Sequence, residues 1–399
     1  MELTAKRGLA TADDISHWRS EFPIVDTCTY LVSHSLGAMP RKAADYLQQF
    51  ADQWSTRGVR AWYEGWWDIG RETGNILAPI LGVEKNTISM HQNVTVAQGI
   101  VASCFSYDHP RRKIVMTELE FPSNHYLYEG FRRYGAEIVY VPSADPIRLD
   151  LDRFLAAIDD RTALVPISLV LFKSAFITDV AAIIEKAHRV GALVAVDAYQ
   201  AAGTVPMDLA GWQADFAVGG SVKWLCGGPG AAYLYVRPDL AKTLEPAFVG
   251  WAAHEAPFDF ATGEIRYAGN PERFQSGTPN VPSLFSARAG YEIVASIGVQ
   301  AIRARSLMLT RRLMDAVLVA GFRLNTPTDD RERGGSVVID VSLVTSNGQQ
   351  IADELIRRDV IIDYRPGAGI RIAPHFYNTE QEIDHAVAVL REICGLVNR

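Results

Sequence analysis

The feature that most constrains the fold of this chain is a regular alternation of two kinds of segment between about residues 70 and 240. Apolar, strand-like runs at 112–117, 136–141, 163–170 and 192–196 alternate with helix-like segments at 124–134, 151–158 and 177–190. Runs that are apolar at nearly every position are typical of parallel strands buried on both faces. The alternation therefore predicts an α/β domain with a mostly parallel sheet.

After about residue 285 the pattern changes, which indicates a second and smaller domain. A helix-like segment at 286–320 is followed by a strand-like run at 335–341, an amphipathic segment at 349–359, a short strand at 360–362 and a final helix at 379–396. This order predicts an α+β C-terminal domain. We place the large domain at 36–284 and assign 1–35 and 285–399 to the N-terminal segment and the small domain.

Composition and charge exclude several classes of protein. With 48% apolar and 21% charged residues the chain resembles ordinary globular proteins. A net charge of −7 without blocks of like charge argues against a nucleic-acid partner. The sequence has no long apolar run and no apolar core of a signal peptide at its start, so we expect a cytoplasmic protein without membrane contact. Four scattered cysteines form no CxxC pair, which argues against a metal site or a disulfide framework.

Asp197 and Lys223 are the most informative pair for function. Asp197 ends the apolar run 192–197, and Lys223 follows a second apolar run at 216–222 and precedes a Gly-Gly-Pro-Gly turn at 227–230. Ligands of such sheets bind beyond the carboxyl ends of the strands. A carboxylate and a lone lysine at two such ends suggest a pyridoxal phosphate site. There the aspartate would keep the pyridine nitrogen protonated and the lysine would carry the cofactor as a Schiff base.

The environment of Lys223 supports this interpretation over that of a solvated surface lysine. Its neighbours are apolar, and a desolvated lysine has a lowered pKa that makes it a nucleophile and a proton carrier. Ser221 precedes Lys223 by two positions, and strand alternation would bring it to the same side as a phosphate donor. Gln200, just after Asp197, is placed to reach the cofactor hydroxyl or the Schiff base.

Residues 89–95, which include Val94 and Thr95, lead from a short strand into a helical run at 96–104. Backbone N–H groups at a helix start, together with the Thr95 hydroxyl, form an anion cradle suited to the cofactor phosphate. The alternative is that Asn93 or Thr95 is an ordinary N-cap, and both roles are compatible.

Phe121 follows a strand and is fixed by Pro122 in the next turn. Its ring would lie flat on the pyridine ring, or it is a core phenylalanine. Asn124 would donate to the ring oxygen of the cofactor, or it caps the following helix.

The substrate candidates lie near both ends of the chain. Arg371 would clamp a substrate carboxylate through a bidentate fork, or form a salt bridge at the domain interface. Arg365 is a second candidate for the clamp. Ser35 lies in the segment 30–37, which we expect to cross between the domains, and it is a further candidate substrate contact.

Together these segments resemble the class V aminotransferase group of fold-type I pyridoxal phosphate enzymes, with the aspartate-aminotransferase-like fold. Within that group they are most similar to the kynureninase branch. The resemblance covers about residues 28–290, with a weaker match around Arg371. It is carried by residues 30–31, 35–37, 121–122, 197–203, 223–230, 250–251 with His254, and 277–279.

The resemblance also implies roles for individual residues and a homodimer with its active site at the subunit interface. It implies Lys223 as the Schiff-base lysine, Asp197 on the pyridine nitrogen, Phe121 on the ring, Thr95 and Trp251 at the phosphate, Thr278 from the partner subunit, and Arg371 at the carboxylate of an α-amino acid.

Three departures from the kynureninase pattern leave the reaction open. Gln200 stands where the family has histidine, Val222 where it has tyrosine, and Asn124 where it has aspartate. The favoured reaction is kynureninase-like side-chain cleavage through an external aldimine and a quinonoid. The alternative is a class V transamination that gives a keto acid and pyridoxamine phosphate. A third hypothesis is a protein of this fold that has lost catalysis and serves in binding. Such a protein would be expected to lack the lysine or the aspartate, whereas Asp197 and Lys223 are both present.

Two further features bear on the substrate. A desulfurase would need a reactive cysteine near Arg371, and the segment 363–378 contains none. The aromatic cluster 62–67 would either line a pocket for a large side chain or pack at a domain or dimer interface.

Overall fold

The computed structural model describes residues 15–344 and 347–395 of the chain. The α-helices are α1 (Arg41–Arg57), α2 (Ile69–Leu81), α3 (Val94–Ala102), α4 (Pro122–Phe131), α5 (Leu151–Ala157), α6 (Val180–Val190), α7 (Val281–Ile297), α8 (Val299–Val319), α9 (Gly348–Arg357) and α10 (Glu380–Ile393). The strands are β1 (Thr29–Tyr30), β2 (Ile88–His91), β3 (Lys113–Thr117), β4 (Glu137–Val141), β5 (Thr162–Ser168), β6 (Leu193–Asp197), β7 (Phe216–Gly220), β8 (Ala232–Val236), β9 (Arg323–Leu324), β10 (Val337–Asp340), β11 (Val360–Ile361), β12 (Asp363–Arg365) and β13 (Gly369–Ile372).

A seven-stranded sheet in the order β2-β8-β7-β6-β5-β3-β4 forms the centre of the larger part. Strands β3 to β7 pair in parallel, whereas β8 runs antiparallel to both of its neighbours. Every residue of β3, β5 and β7 is buried, because helices cover both faces of the sheet. The predicted α/β architecture with a mostly parallel sheet is confirmed.

The C-terminal part contains a second sheet, antiparallel, in the order β12-β13-β10-β9. The N-terminal segment is attached to this part, since β1 pairs in parallel with β11 and Leu31 is fully buried in its apolar core. The segment then continues to the large sheet, where the His34 carbonyl accepts a hydrogen bond from Gln200. The domain boundaries at residues 36 and 284 stay a prediction.

The single helix predicted at 286–320 is wrong, because the chain forms α7 and α8 with an 85° bend between them. The break is at Gly298, whose φ of 84° is in the region that residues with a side chain avoid. Apolar positions continue on both sides of the glycine, so periodicity alone did not show the break. Among the described residues, no helix by itself is long and apolar enough to span a membrane, and α7 with α8 meets that criterion only as this bent pair.

The sheet brings distant polar residues to one edge. β6, β5 and β3 are neighbours in the sheet. Asp197 is the last residue of β6, Ser168 is the last residue of β5, and Glu120 follows the end of β3. Lys223 comes three residues after the end of β7, on the other side of β6. This edge is where the sequence predicts the cofactor site.

Candidate active site

A cavity of about 280 Å³ lies at this edge of the large sheet. Seven residues predicted as cofactor contacts line it: Val94, Thr95, Phe121, Asn124, Asp197, Gln200 and Lys223. They come from four separate segments of the chain, so the fold assembles the site as the sequence pattern indicates. Ser168, Phe172 and Tyr199 also line the cavity.

Lys223 is largely enclosed by aromatic side chains. Its Nζ lies 4.3 Å from the ring centroid of Tyr199 and 5.9 Å from that of Phe121. Burial lowers the pKa of Lys223 to about 8, although attraction to Asp197 opposes the shift. An amine with this pKa is partly neutral near physiological pH, as a nucleophile and a base must be.

The lowered pKa of Lys223 predicts a stability effect in the cofactor-free protein. Between pH 8 and the ordinary lysine value the unfolded chain binds more protons, so this group makes stability rise with pH there. Lys223→Met removes the buried charge and is expected to raise the free energy of unfolding at pH 7 by up to about 3 kcal/mol. Urea unfolding of both apoproteins at pH 7 and pH 10.5 measures this. A difference that does not shrink towards pH 10.5 would contradict the assignment.

Asp197 ends β6 and presents its carboxylate to the cavity. Its Oδ1 accepts the Tyr199 N–H at 2.9 Å, and its Oδ2 accepts from Gln98 Nε2 at 3.3 Å and from Asn124 Nδ2 at 3.2 Å. Within residues 15–344 and 347–395, no lysine or arginine forms an ion pair with it. Burial raises the pKa of Asp197, while the bonds from Tyr199 and Asn124 and the charge of Lys223 lower it. The carboxylate is thus held by neutral donors, and it can still accept a hydrogen bond from a protonated ring nitrogen.

The start of α3 also lines the cavity. Asn93 is the N-cap, and its Oδ1 accepts the Val96 N–H at 3.0 Å. This leaves the N–H groups of Val94 and Thr95 and the exposed Thr95 side chain directed to the cavity end of the helix. The Asn93 cap is therefore compatible with the predicted anion cradle.

Phe121 has the exposure expected of a stacking residue, not of a core phenylalanine. It is 44% exposed, and it is fixed as the N-cap of α4 with Pro122 in the first turn. The ring of Phe172 packs edge-to-face against it, with the centroids 5.1 Å apart. The Phe121 side chain lines the cavity together with Phe172.

The polar atoms of two predicted cofactor contacts, Asn124 and Gln200, are hydrogen-bonded to other groups of the protein. The Asn124 oxygen accepts from Gln98, and its amide hydrogens go to Glu120 and Asp197. Gln200 Nε2 donates to the His34 carbonyl, and its Oε1 accepts from the Trp224 indole. Both side chains line the cavity, but in this arrangement they orient other groups.

Ser221 is not brought to the cavity. It is fully buried, and its hydroxyl bonds to the Ala231 carbonyl at 2.8 Å and the Tyr291 hydroxyl at 2.6 Å. The expected alternation does not apply, because β7 ends at Gly220 and Ser221 lies in the turn that follows. The hydroxyl therefore has no free position for a phosphate oxygen in this arrangement.

Arg371 is held between the two parts of the molecule. It lies on β13 opposite Asp363 of β12, and its Nε donates to Asp363 Oδ1 at 2.7 Å. Its Nη2 donates to the second oxygen of Asp363, and its Nη1 to the Phe172 carbonyl at 2.7 Å. Arg365 and His34 contact Asp363 as well, each at 3.1 Å. The salt bridge and a carboxylate clamp are compatible, because one hydrogen on each Nη atom remains.

Arg371 and the remaining predicted contacts, Ser35, Trp251 and Thr278, do not line this cavity. Trp251 is 40% exposed and packs on Trp67, and Thr278 is exposed as well. Ser35 is half-buried, and its N–H donates to the Val32 carbonyl. The role that the resemblance gives Thr278 in a partner subunit stays a prediction.

Sequence reasoning missed Glu120, Gln98 and Asp363. Each is a buried or half-buried polar residue that contacts a predicted site residue. Only Glu120 carried a usable signal, since it follows β3 in the same run as Phe121 and Asn124. Within the described part of the chain, no cluster of three histidine, cysteine, aspartate or glutamate side chains is arranged to hold a metal.

The aminotransferase class-V family matches residues 29–385. An uncharacterized aminotransferase, YcbU of Bacillus subtilis (strain 168), is 31% identical and aligns over 93% of this chain and 95% of its own length. A kynureninase of Geobacillus thermodenitrificans (strain NG80-2) is 29% identical, over 98% of this chain and 94% of its own.

Among solved structures, a cysteine desulfurase from Thermococcus onnurineus NA1 has the same fold. It superposes with a TM-score of 0.84 at 20% identity, over 97% of this chain and 99% of its own. The fold-type I architecture expected from the resemblance is confirmed by this likeness. On the family match and the composition of the site, the chain belongs to the class-V aminotransferase family and is a pyridoxal phosphate enzyme.

Proposed function

We propose that the enzyme acts on an α-amino acid and cleaves a bond in its side chain, as the relatives named kynureninase suggest. The observation that carries the amino-acid assignment is the enclosed Lys223, which lies in one cavity with the carboxylate of Asp197. A lysine with a lowered pKa beside a buried carboxylate is the arrangement that cofactor attachment and α-proton removal both require.

The residues of the cavity fit the cofactor from end to end. Lys223 would carry it, Asp197 would accept the ring N–H, and Phe121 would lie against the ring. The N–H groups at the start of α3 and the Thr95 hydroxyl would hold the phosphate. When bound, the cofactor supplies an electron sink for the pair of electrons left at the α-carbon.

Lys223 and Arg371 have complementary tasks in this proposal. Once its amine is free, Lys223 removes the α-proton and returns it at a later step. Arg371 faces the substrate carboxylate with the two hydrogens that Asp363 and Phe172 leave available. Since Asp363 fixes the guanidinium, the carboxylate meets a rigid donor pair.

Side-chain cleavage is supported by the full-length similarity to kynureninases and by the apolar cavity wall. Phe172, Val170 and Tyr199 border the cavity beside Lys223, which suits a large substrate side chain. Hydrolysis of the β–γ bond would release the side chain as a carboxylic acid and leave alanine. Transamination is the second candidate, supported by the 31% identity to an aminotransferase and by Gln200 and Val222.

A panel of amino acids that includes kynurenine separates these reactions. The reconstituted enzyme is incubated with each compound, products are identified by mass spectrometry, and the visible spectrum is followed. Alanine with a carboxylic acid supports cleavage, whereas a keto acid with pyridoxamine phosphate supports transamination. A purified protein that stays colourless after reconstitution would overturn the cofactor assignment.

We also propose a homodimer in which Trp251 and Thr278 complete the site of the partner. Exposed aromatic rings support this, since Trp251, Phe258 and Phe260 pack on one another at the surface. A second cavity of about 290 Å³, lined by Trp67, His254 and Gln275 among others, lies beside them. Trp67 of the aromatic cluster 62–67 belongs to this surface and not to the Lys223 cavity.

Subunit mixing tests the shared site. A Lys223→Ala chain and a chain carrying Trp251→Ala with Thr278→Ala are each expected to be nearly inactive. Refolded together in equal amounts, they should recover about a quarter of wild-type activity, because half of the dimers contain one intact site. No recovery in a mixture that sediments as a dimer would show that these residues act within one chain.

A further inference from the structure

Glu120 is a buried carboxylate that the proposed function leaves without a task. It follows β3, is 3% exposed, and forms no ion pair with any residue of the described ranges. Burial raises its pKa to about 7, and the nearby charge of Asp197 acts in the same direction. Since an unpaired carboxylate is costly to bury, its position calls for a role in the site.

Two groups of Ser168 hold the Glu120 carboxylate in place. Its Oε1 accepts the Ser168 N–H at 2.8 Å, and its Oε2 accepts the Ser168 hydroxyl. Ser168 ends β5, the strand between β3 and β6, and it pairs directly with Asp197. The carboxylate is therefore fixed against the same strand ends that carry Asp197.

The amide of Asn124 connects the two carboxylates. Asn124 Nδ2 lies 3.2 Å from Glu120 Oε2 and 3.2 Å from Asp197 Oδ2. On its other side, Asn124 Oδ1 accepts from Gln98 Nε2 at 3.0 Å. Only one orientation of the amide satisfies all three contacts, since the reverse one would point its oxygen at both carboxylates.

We propose that Glu120 is a positioning residue, which orients the Asn124 amide and through it sets the orientation and negative charge of Asp197 towards the cofactor ring nitrogen. The proposal rests on the proposed function, because Asp197 must face that nitrogen. Glu120 thereby acts on the cofactor without touching it.

The other titratable groups near Glu120 do not supply this effect. Asp197 faces it from the end of β6, and Lys223 faces Asp197 from beyond β7. Tyr128 approaches from α4, and burial raises its pKa well above the ordinary value, so it stays neutral. The Asn124 amide is thus the link through which Glu120 acts on Asp197.

Glu120→Gln tests the proposal because glutamine has the same shape as glutamate, but an NH₂ donor replaces one of the two acceptor oxygens. If its oxygen accepts the Ser168 N–H, its amide nitrogen faces Asn124 Nδ2, and two donors oppose each other. Asn124 must then rotate and present its oxygen to Asp197, or lose its bond to residue 120. Either outcome disturbs Asp197.

The readout is the protonation of the ring nitrogen, measured by ¹⁵N NMR on enzyme reconstituted with ¹⁵N-labelled pyridoxal phosphate and titrated with pH. Glu120→Gln is expected to lower the pH of half-protonation by about one unit relative to wild type. Asn124→Ala should lower it in the same direction, and the double variant should show no further decrease, since both act through one chain of bonds.

Glu118→Gln is the matched control, because Glu118 is exposed on the same loop two residues earlier. It should leave the half-protonation pH unchanged. An unshifted Glu120→Gln, an equal shift in Glu118→Gln, or additive effects of Glu120→Gln and Asn124→Ala would each overturn the proposal. If Glu120→Gln does not fold, Glu120→Asp decides, because its shorter side chain cannot keep the contacts with both Ser168 and Asn124 and should lower the half-protonation pH as well. A wild-type protein that takes up no labelled cofactor would refute the proposed function instead.

Discussion

Lys223→Ala is expected to lower kcat by at least about 1,000-fold, because it removes both the covalent attachment point and the base that moves the α-proton. The structure makes this lysine the only amine in the described wall of the cavity. After reduction with borohydride, the wild-type chain should gain the mass of the reduced cofactor, and the variant should not. Intact-protein mass spectrometry measures this independently of activity.

Lys242→Ala is the matched control for this prediction, since Lys242 is exposed in a short 3₁₀ helix away from the cavity. It should keep wild-type activity and the cofactor adduct. Addition of a small primary amine should restore part of the Lys223→Ala activity if the lysine acts as a base. A Lys223→Ala chain that still gains the cofactor mass on reduction would show that another amine carries it.

The structural likeness to a cysteine desulfurase extends to the fold but not to a reactive thiol. All four cysteines lie in the described part of the chain, and none lines the Lys223 cavity. Burial raises the pKa of each thiol, which disfavours the thiolate that such chemistry needs. This agrees with the sequence argument that the segment near Arg371 lacks a cysteine.

The parts of the site that sequence predicted are those that depend on strand ends. Asp197 and Phe121 each follow a buried apolar strand, and parallel strands place such residues at one edge. Lys223 was paired with Asp197 on the same ground, since it follows the apolar run 216–222. These predictions needed only the period of the apolar residues and the direction of the strands.

The parts that sequence did not predict depend on where a strand stops or on long-range pairing. Ser221 faces inward because β7 ends one residue before it, and strand boundaries are weakly encoded. The Asn124 amide is bound by Gln98 and Asp197, which are far away in sequence. Asp363 reaches Arg371 only through the register of β12 on β13.

Asp197→Asn is expected to lower kcat about 1,000-fold or more with little change in shape, because asparagine cannot keep the ring nitrogen protonated. It also has one acceptor oxygen where the aspartate has two. The Tyr199 N–H approaches one oxygen, and the amides of Gln98 and Asn124 approach the other, so one set of donors must face an NH₂ group. This mismatch should lower the free energy of unfolding of the apoprotein by about 1–3 kcal/mol.

A cofactor with a methyl group on its ring nitrogen distinguishes the electrostatic role of Asp197 from a purely structural one. That cofactor carries a permanent positive charge, and Asp197→Ala provides room for the methyl group. It should restore activity to Asp197→Ala by at least about tenfold relative to ordinary pyridoxal phosphate, while wild type should be inhibited by the added bulk. If Asp197→Ala and wild type both bind the methylated cofactor but neither changes its activity, Asp197 acts on the fold of the site and not on the charge of the ring.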